Sequence, residues 1–186
     1  MNDDIQKSPI DVLNKAFAPK QGELVDPKKG YDHPRGEDIL QGAKRILGYS
    51  ATGQELLTYI DEKDLTIKVL KDDKDSAYIS AAKLAVLTCP ASQNKAYPST
   101  VLDLIRIIRE AQQEELGYPR PSPHLPDDEY LEKIHEKQED IFVKQFKVAY
   151  DLWKNMDIVD LLNQMKKDGD EQYINNYVNH METISE

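Results

Sequence analysis

The spacing of apolar residues divides the chain into a helical front, a strand-rich middle and a helical remainder. In "GEDILQGAKRILGYS", Ile39, Leu40, Ala43, Ile46 and Leu47 recur at helical spacing. "SATGQELLTYIDEKD" predicts a second helix, with Leu56, Leu57 and Ile60 on its apolar face and Ser50 or Thr52 as its N-cap. The period then shortens. "LTIKVL" alternates and is rich in β-formers, and "AYIS" and "LAVLTCP" are two more strand candidates around the tight "AAK". "ASQNKAYPS" reads as a loop. Pro98 with Ser99 or Thr100 opens a helix predicted to run to Gly117 as its C-terminal cap. "GYPRPSPHLPD" is a proline-rich connector. Beyond it, Leu131, Ile134, Ile141, Phe142, Val148, Ala149 and Leu152 keep helical spacing. Two shorter helices follow, "DIVDLLNQMKKDG" and "DEQYINNYVNHMETIS", each predicted to open on an aspartate cap. The sum is an α+β fold, mostly helical, with a small two- or three-stranded antiparallel sheet.

The first 36 residues carry little of this periodicity. "FAPKQGELVDPKKGYDHPRG" is rich in Lys, Asp, Gly and Pro, and only "PIDVLNKAF" has the pattern of a short helix. Residues 1–36 are therefore predicted to form an extended arm before a single domain over residues 37–186. The chain has 186 residues, 39% hydrophobic and 31% charged, the balance of a polar but folded protein. Its 24 Lys and Arg against 34 Asp and Glu leave a formal charge of −10. That field repels phosphate backbones and anionic lipid surfaces, which argues against nucleic-acid and membrane partners. Cys89 is the single cysteine. It excludes an intrachain disulfide and a Cys-based zinc cluster, and fits a reducing compartment. "MNDDIQKSPI" lacks an apolar core, and no apolar run approaches the ~20 residues needed to span a bilayer. The expected location is cytoplasmic, with export by a route that uses no N-terminal signal left open.

The candidate chemistry centres on "DLIRIIREAQQEE". Arg106 and Glu110 lie four apart with Ile107 next to the arginine, the spacing at which a zinc-peptidase helix carries two histidines and a glutamate. "TGQELLTYIDEKDLTIKVL", "AYISAAKLAVLTCP", "LIRIIREAQQE" and "EKQEDIFVKQFKVAYDL" follow in order. Together they resemble a family of short, poorly characterised bacterial proteins described as zinc metallopeptidases. That family's corresponding patterns are a helix leading into a strand, A-Y-x-x-x-x-x-x-I-x-L-N-P, L-A-H-E-x-R-H-A-x-Q and an acidic E-A-D-A helix. The resemblance covers residues 50–155 and implies a minimal zincin-like arrangement. Leu104, Arg109, Ala111 and Gln113 agree with the pattern. Arg106 and Glu110 stand where the resemblance implies the zinc histidines, and Ile107 where it implies the general-base glutamate. Arginine has no lone pair to offer a metal and isoleucine moves no proton. The resemblance thus implies a vacated metal site at Arg106, Ile107 and Glu110, faced by Glu139 or Asp140 from the acidic helix. Arg106 is expected to bridge Glu110 and one of those carboxylates, so that Arg106→Ala would destabilise more than Arg109→Ala. The plain reading of the same helix is a buried stripe of Val101, Leu104, Ile105, Ile108 and Ala111, with Arg106 and Glu110 as a surface pair.

"HEKQE" sets His135 and Glu139 four apart, but with no second histidine a solvated helix face is the simpler account. His33, His124 and His180 form no cluster and read as surface residues. Cys89, before Pro90 at a strand end, reads as a buried structural thiol. The chain has no Gly-rich phosphate loop and no G-x-S-x-G. The sequence is thus expected to encode a catalytically inactive, metallopeptidase-like protein that uses no metal or cofactor and binds another protein. The alternatives are a hydrolase with a site around His135, Glu139 and Asp140, or a purely structural helical interaction domain.

Overall fold

Helix α1, Gly36–Leu47, buries Ile39, Leu40, Ala43 and Leu47 on one face, the stripe that the helical spacing predicts. Helix α2, Ala51–Lys63, starts where Ser50 Oγ accepts the Gly53 N–H at 2.8 Å, the capping bond its sequence foretells. The two helices meet tightly at their junction. A Cβ added to Gly53 would lie 2.1 Å from the Leu47 carbonyl oxygen, which is backbone and cannot step aside. Gly53→Ala is expected to lower stability by about 1–3 kcal/mol in urea titration. That loss outweighs the ~1 kcal/mol by which alanine favours a helix over glycine.

The sequence of elements continues with β1, Thr66–Lys71; β2, Ala77–Ile79; a 3-10 turn, Ser80–Ala82; and β3, Leu84–Cys89. Helices α3, Pro98–Glu115; α4, Asp127–Met156; α5, Asp160–Asp168; and α6, Glu171–Ile184 complete the fold. This computed structural model describes residues 32–72, 74–118, 125–169 and 171–184. The arm expected over residues 1–36 lies mostly outside the described residues. Its last part belongs to the fold. Asp32 bridges to Leu70, and the His33 N–H donates to the Val69 carbonyl at 3.0 Å. Asp32 and His33 are thus docked on β1. His33 is not a surface residue either: it is 5% exposed, with Nε2 at 3.0 Å from the Pro90 carbonyl and Nδ1 accepting the Arg35 N–H at 3.1 Å. A neutral imidazole offers one donor and one acceptor, and this turn uses both.

The sheet has three strands in the order β1-β3-β2. The expected antiparallel arrangement holds only for β2 with β3, where Ala77 faces Val86 and Ile79 faces Leu84. β1 runs parallel to β3, from Thr66 against Leu84 to Lys71 against Cys89, so the sheet is mixed. Short connections predict neighbours that pair, but here residues after Lys71 cross the end of β3 instead. The Asp72 N–H reaches the Cys89 carbonyl at 3.2 Å, and β2 then returns along the far side.

Helix α3 packs against the sheet and is the axis of the core. Val101, Leu104, Ile105, Ile107, Ile108 and Ala111 are fully buried. It ends as Gly117 predicts. Gly117 takes φ +73°, its N–H bonds Glu114, and the Tyr118 N–H bonds Gln113 at 2.9 Å, the Schellman pattern. Helix α4 lays Ile141, Phe146, Val148, Ala149 and Leu152 onto that core. Asp157 does not cap α5; at φ 56° it closes α4, while α5 starts after Val159 without a side-chain cap. Phe142 meets Tyr177 of α6 edge-on and Phe146 meets it at a tilt, at centroid distances of 5.5 and 5.4 Å, which docks the last helix.

Candidate functional site

On α3, the three positions that the resemblance marks as vacated do not share an environment. Ile107 is 0% exposed and belongs to the hydrophobic core. Arg106 and Glu110 come together as their spacing predicts, with Nη1 at 2.9 Å from Glu110 Oε1. The same guanidinium reaches Asp103 Oδ1 at 3.3 Å through Nη2. The shortest of its bonds is one the linear pattern does not suggest: Nη2 donates to the Ser76 carbonyl at 2.6 Å.

Ser76 lies on the stretch that carries the chain across the end of β3. It is 3% exposed. Its Oγ accepts the Thr88 N–H at 3.0 Å and donates to Asp103 Oδ2 at 3.2 Å. Arg106 and Asp103 thus form a two-pronged clamp from α3 onto the crossover that makes β1 parallel to β3. Burial pulls the Arg106 charge down, but the Glu110 and Asp103 carboxylates outweigh it and hold the guanidinium's pKa above its ordinary value. No signal in the sequence could have joined Ser76 to Arg106, because the link is tertiary and passes through a main-chain carbonyl.

The expected bridge from Arg106 to Glu139 or Asp140 does not form. Asp140 is held by Arg109 instead, in a bidentate fork of 2.7 Å from Nε and 2.9 Å from Nη2. Gln113 Nε2 adds a bond of 2.7 Å to the same carboxylate and one of 3.0 Å to the Lys137 carbonyl. The reason is helical phase. Arg109 lies seven residues after Leu102, whose carbonyl accepts from Gln145 of α4 at 2.9 Å, so Leu102 and Arg109 share the side turned to α4. Arg106 lies off that line, toward the crossover. Burial raises the Asp140 carboxyl, yet the bonds from Arg109 and Gln113 prevail and its pKa lies below the usual carboxylate range.

Glu139 is exposed, and so is His135, on the outer face of α4. Asp140 is turned inward, so the three residues of the alternative hydrolase site do not converge. Among the described residues, no group of three or more His, Cys, Asp or Glu is placed to hold a metal ion. Cys89 is fully buried, its thiol pushed up by burial and bonded to the Thr100 side chain, consistent with a structural role. Arg106 borders a cleft of about 380 Å3 between α3, α4 and α5, where Asp103, Asp168 and Gln145 meet the apolar Phe142 and Met165. This arrangement can present hydrogen-bond donors and acceptors. It has no paired base and nucleophile and no free imidazole.

No family model, curated protein or solved structure matches the chain.

Proposed function

We propose that this is a metallopeptidase-like protein that does not cleave peptides and works in the cytoplasm by binding another protein. One contrast supports the reading. The positions that agree with the resembled pattern, Arg109 and Gln113, hold α4 to α3 through Asp140. The positions that depart from it do structural work: Arg106 clamps the crossover, Glu110 pairs with it, and Ile107 fills the core. A scaffold is kept while the groups that hydrolysis would need are replaced. Metal-assisted hydrolysis needs a base beside a bound water, and no such base occupies position 107. A catalytic site around His135 loses its support because Asp140 is engaged by Arg109 and Gln113. No helix among the described residues is long and apolar enough to cross a membrane.

The test is elemental analysis of protein purified without a metal-affinity tag, together with incubation against an unstructured peptide library. The expected result is zinc far below one per chain and an uncleaved library. Zinc near one per chain, lost on substitution of protein side chains, would overturn the proposal.

A further inference from the structure

Along α1, in a cleft that Arg106 does not line, the surface changes sign. A cleft of about 700 Å3 opens between α1 and the loop that leads into α3. Arg35, Arg45 and Lys95 line it, against one acid, Asp38. Arg35 Nε is committed to Asp38 at 2.6 Å, which leaves the cleft's excess charge on Arg45 and Lys95. Neither of these makes an ion pair among the described residues. In a chain of net charge −10 this is a local inversion. The cleft also has an apolar part, where α1 and the loop approach closely: a Cβ on Gly42 would sit 3.3 Å from the Ala96 Cβ. Tyr97, directly after that alanine, is 40% exposed.

We infer that this cleft binds an acidic segment of a partner protein, with carboxylates on Arg45 and Lys95 and small apolar side chains over Gly42 and Ala96. Charge complementarity selects an anion. Size and lining select its class. The volume lies in the range of pockets that take ligands far larger than an inorganic anion. A bare phosphate would leave the apolar part uncovered. A phosphate backbone would bring its dense charge against the acidic remainder of the chain. A peptide alternating acidic and small apolar residues satisfies both parts. The inference rests on the protein-binding reading for its occupant alone; zinc content and peptide affinity are separate measurements, so either can fail without the other.

The probe is a fluorescein-labelled peptide of Ala-Glu repeats, followed by anisotropy with the full chain at low and at physiological salt. Saturable binding is expected, weakening as salt rises. The Arg45→Glu/Lys95→Glu variant is expected to weaken it at least about tenfold, and the neutral Arg45→Gln/Lys95→Gln variant to weaken it in the same direction. The neutral pair keeps the test valid if charge reversal disturbs folding. Lys166→Glu/Lys167→Glu at the end of α5 changes net charge as much and is expected to leave binding within about twofold, since screening confines such fields to about a Debye length. No saturable binding, or equal loss in the α5 variant, would overturn the inference. Displacement of the peptide by inorganic phosphate or by a single-stranded oligonucleotide more readily than by unlabelled peptide would overturn it too, and would assign the cleft to that anion instead.

Discussion

Ile107→Glu is expected to destabilise the fold by at least about 4 kcal/mol, the range in which a buried charge lacks any partner. Ile107 is 0% exposed and its neighbours on α3, Leu104, Ile105, Ile108 and Ala111, are all fully buried. A carboxylate there would find no donor: the guanidiniums nearest in sequence, Arg106 and Arg109, are engaged with Glu110, Asp103, Ser76 and Asp140. Urea denaturation reads the effect. Ile107→Ala supplies the comparison, at about 2–4 kcal/mol for the lost methyl groups and the cavity, and Ile107→Met should cost less than about 1.5 kcal/mol. The order Glu, Ala, Met is the signature of a core position. A glutamate variant as stable as the parent would mean that side chain 107 reaches solvent, and would reopen the case for a catalytic carboxylate on this helix.

A double-mutant cycle on Arg109 and Asp140 is expected to give a coupling of about 1–3 kcal/mol, against less than about 1 kcal/mol for Arg106 and Glu110. The first pair is bidentate, with side chains only 13% and 24% exposed; the second has one contact, with 25% and 29% exposed. Arg106 with Asp140 should show no measurable coupling, which reverses the expectation drawn from the sequence. The pH dependence follows from the same fork. The folded pKa of Asp140 lies below its ordinary value, so its contribution to stability is present above that ordinary range, near pH 4, and is lost as pH falls through the depressed folded value. Asp140→Asn is therefore expected to be less stable than the parent at neutral pH. Its stability should also fall less steeply on acidification below about pH 4. Parallel acid profiles for the two proteins would show that the Asp140 carboxylate gains nothing from the fold.

Periodicity in the sequence was enough to place nearly every element here, because apolar spacing reports the face that each element buries. It found α1, α2, the three strands, α3 and α4, and the caps at Ser50 and Gly117. It failed where a tertiary contact outranked the local pattern. Asp157 reads as an N-cap but takes a left-handed conformation to end α4. His33 reads as a loop residue but is drawn inward by the Pro90 carbonyl. The direction of β1 is invisible to alternation, which is the same for parallel and antiparallel strands. On α3, one turn separates Arg106 from Arg109, and the choice between them depended on which side of the helix α4 occupies. The two helices expected to pack do touch, and the arginine at their contact is Arg109 rather than the expected Arg106.

The crossover before β2 also bears on the order in which the sheet is assembled. β2 and β3 are joined by the tight turn at Ser80–Lys83, whereas the parallel pairing of Thr66 with Leu84 closes a loop several times longer. The difference in closure entropy is about 1 kcal/mol against β1. The hairpin is therefore the cheaper nucleus, and β1 joins a surface that already exists. Ser76, directly before β2 and bonded to Thr88 of β3, comes with that hairpin, where Arg106 and Asp103 of α3 engage it. Arg106 thus ties α3 to the hairpin rather than to β1, and weakening the clamp should loosen the docking of α3 on the sheet without disturbing the pairing of β1.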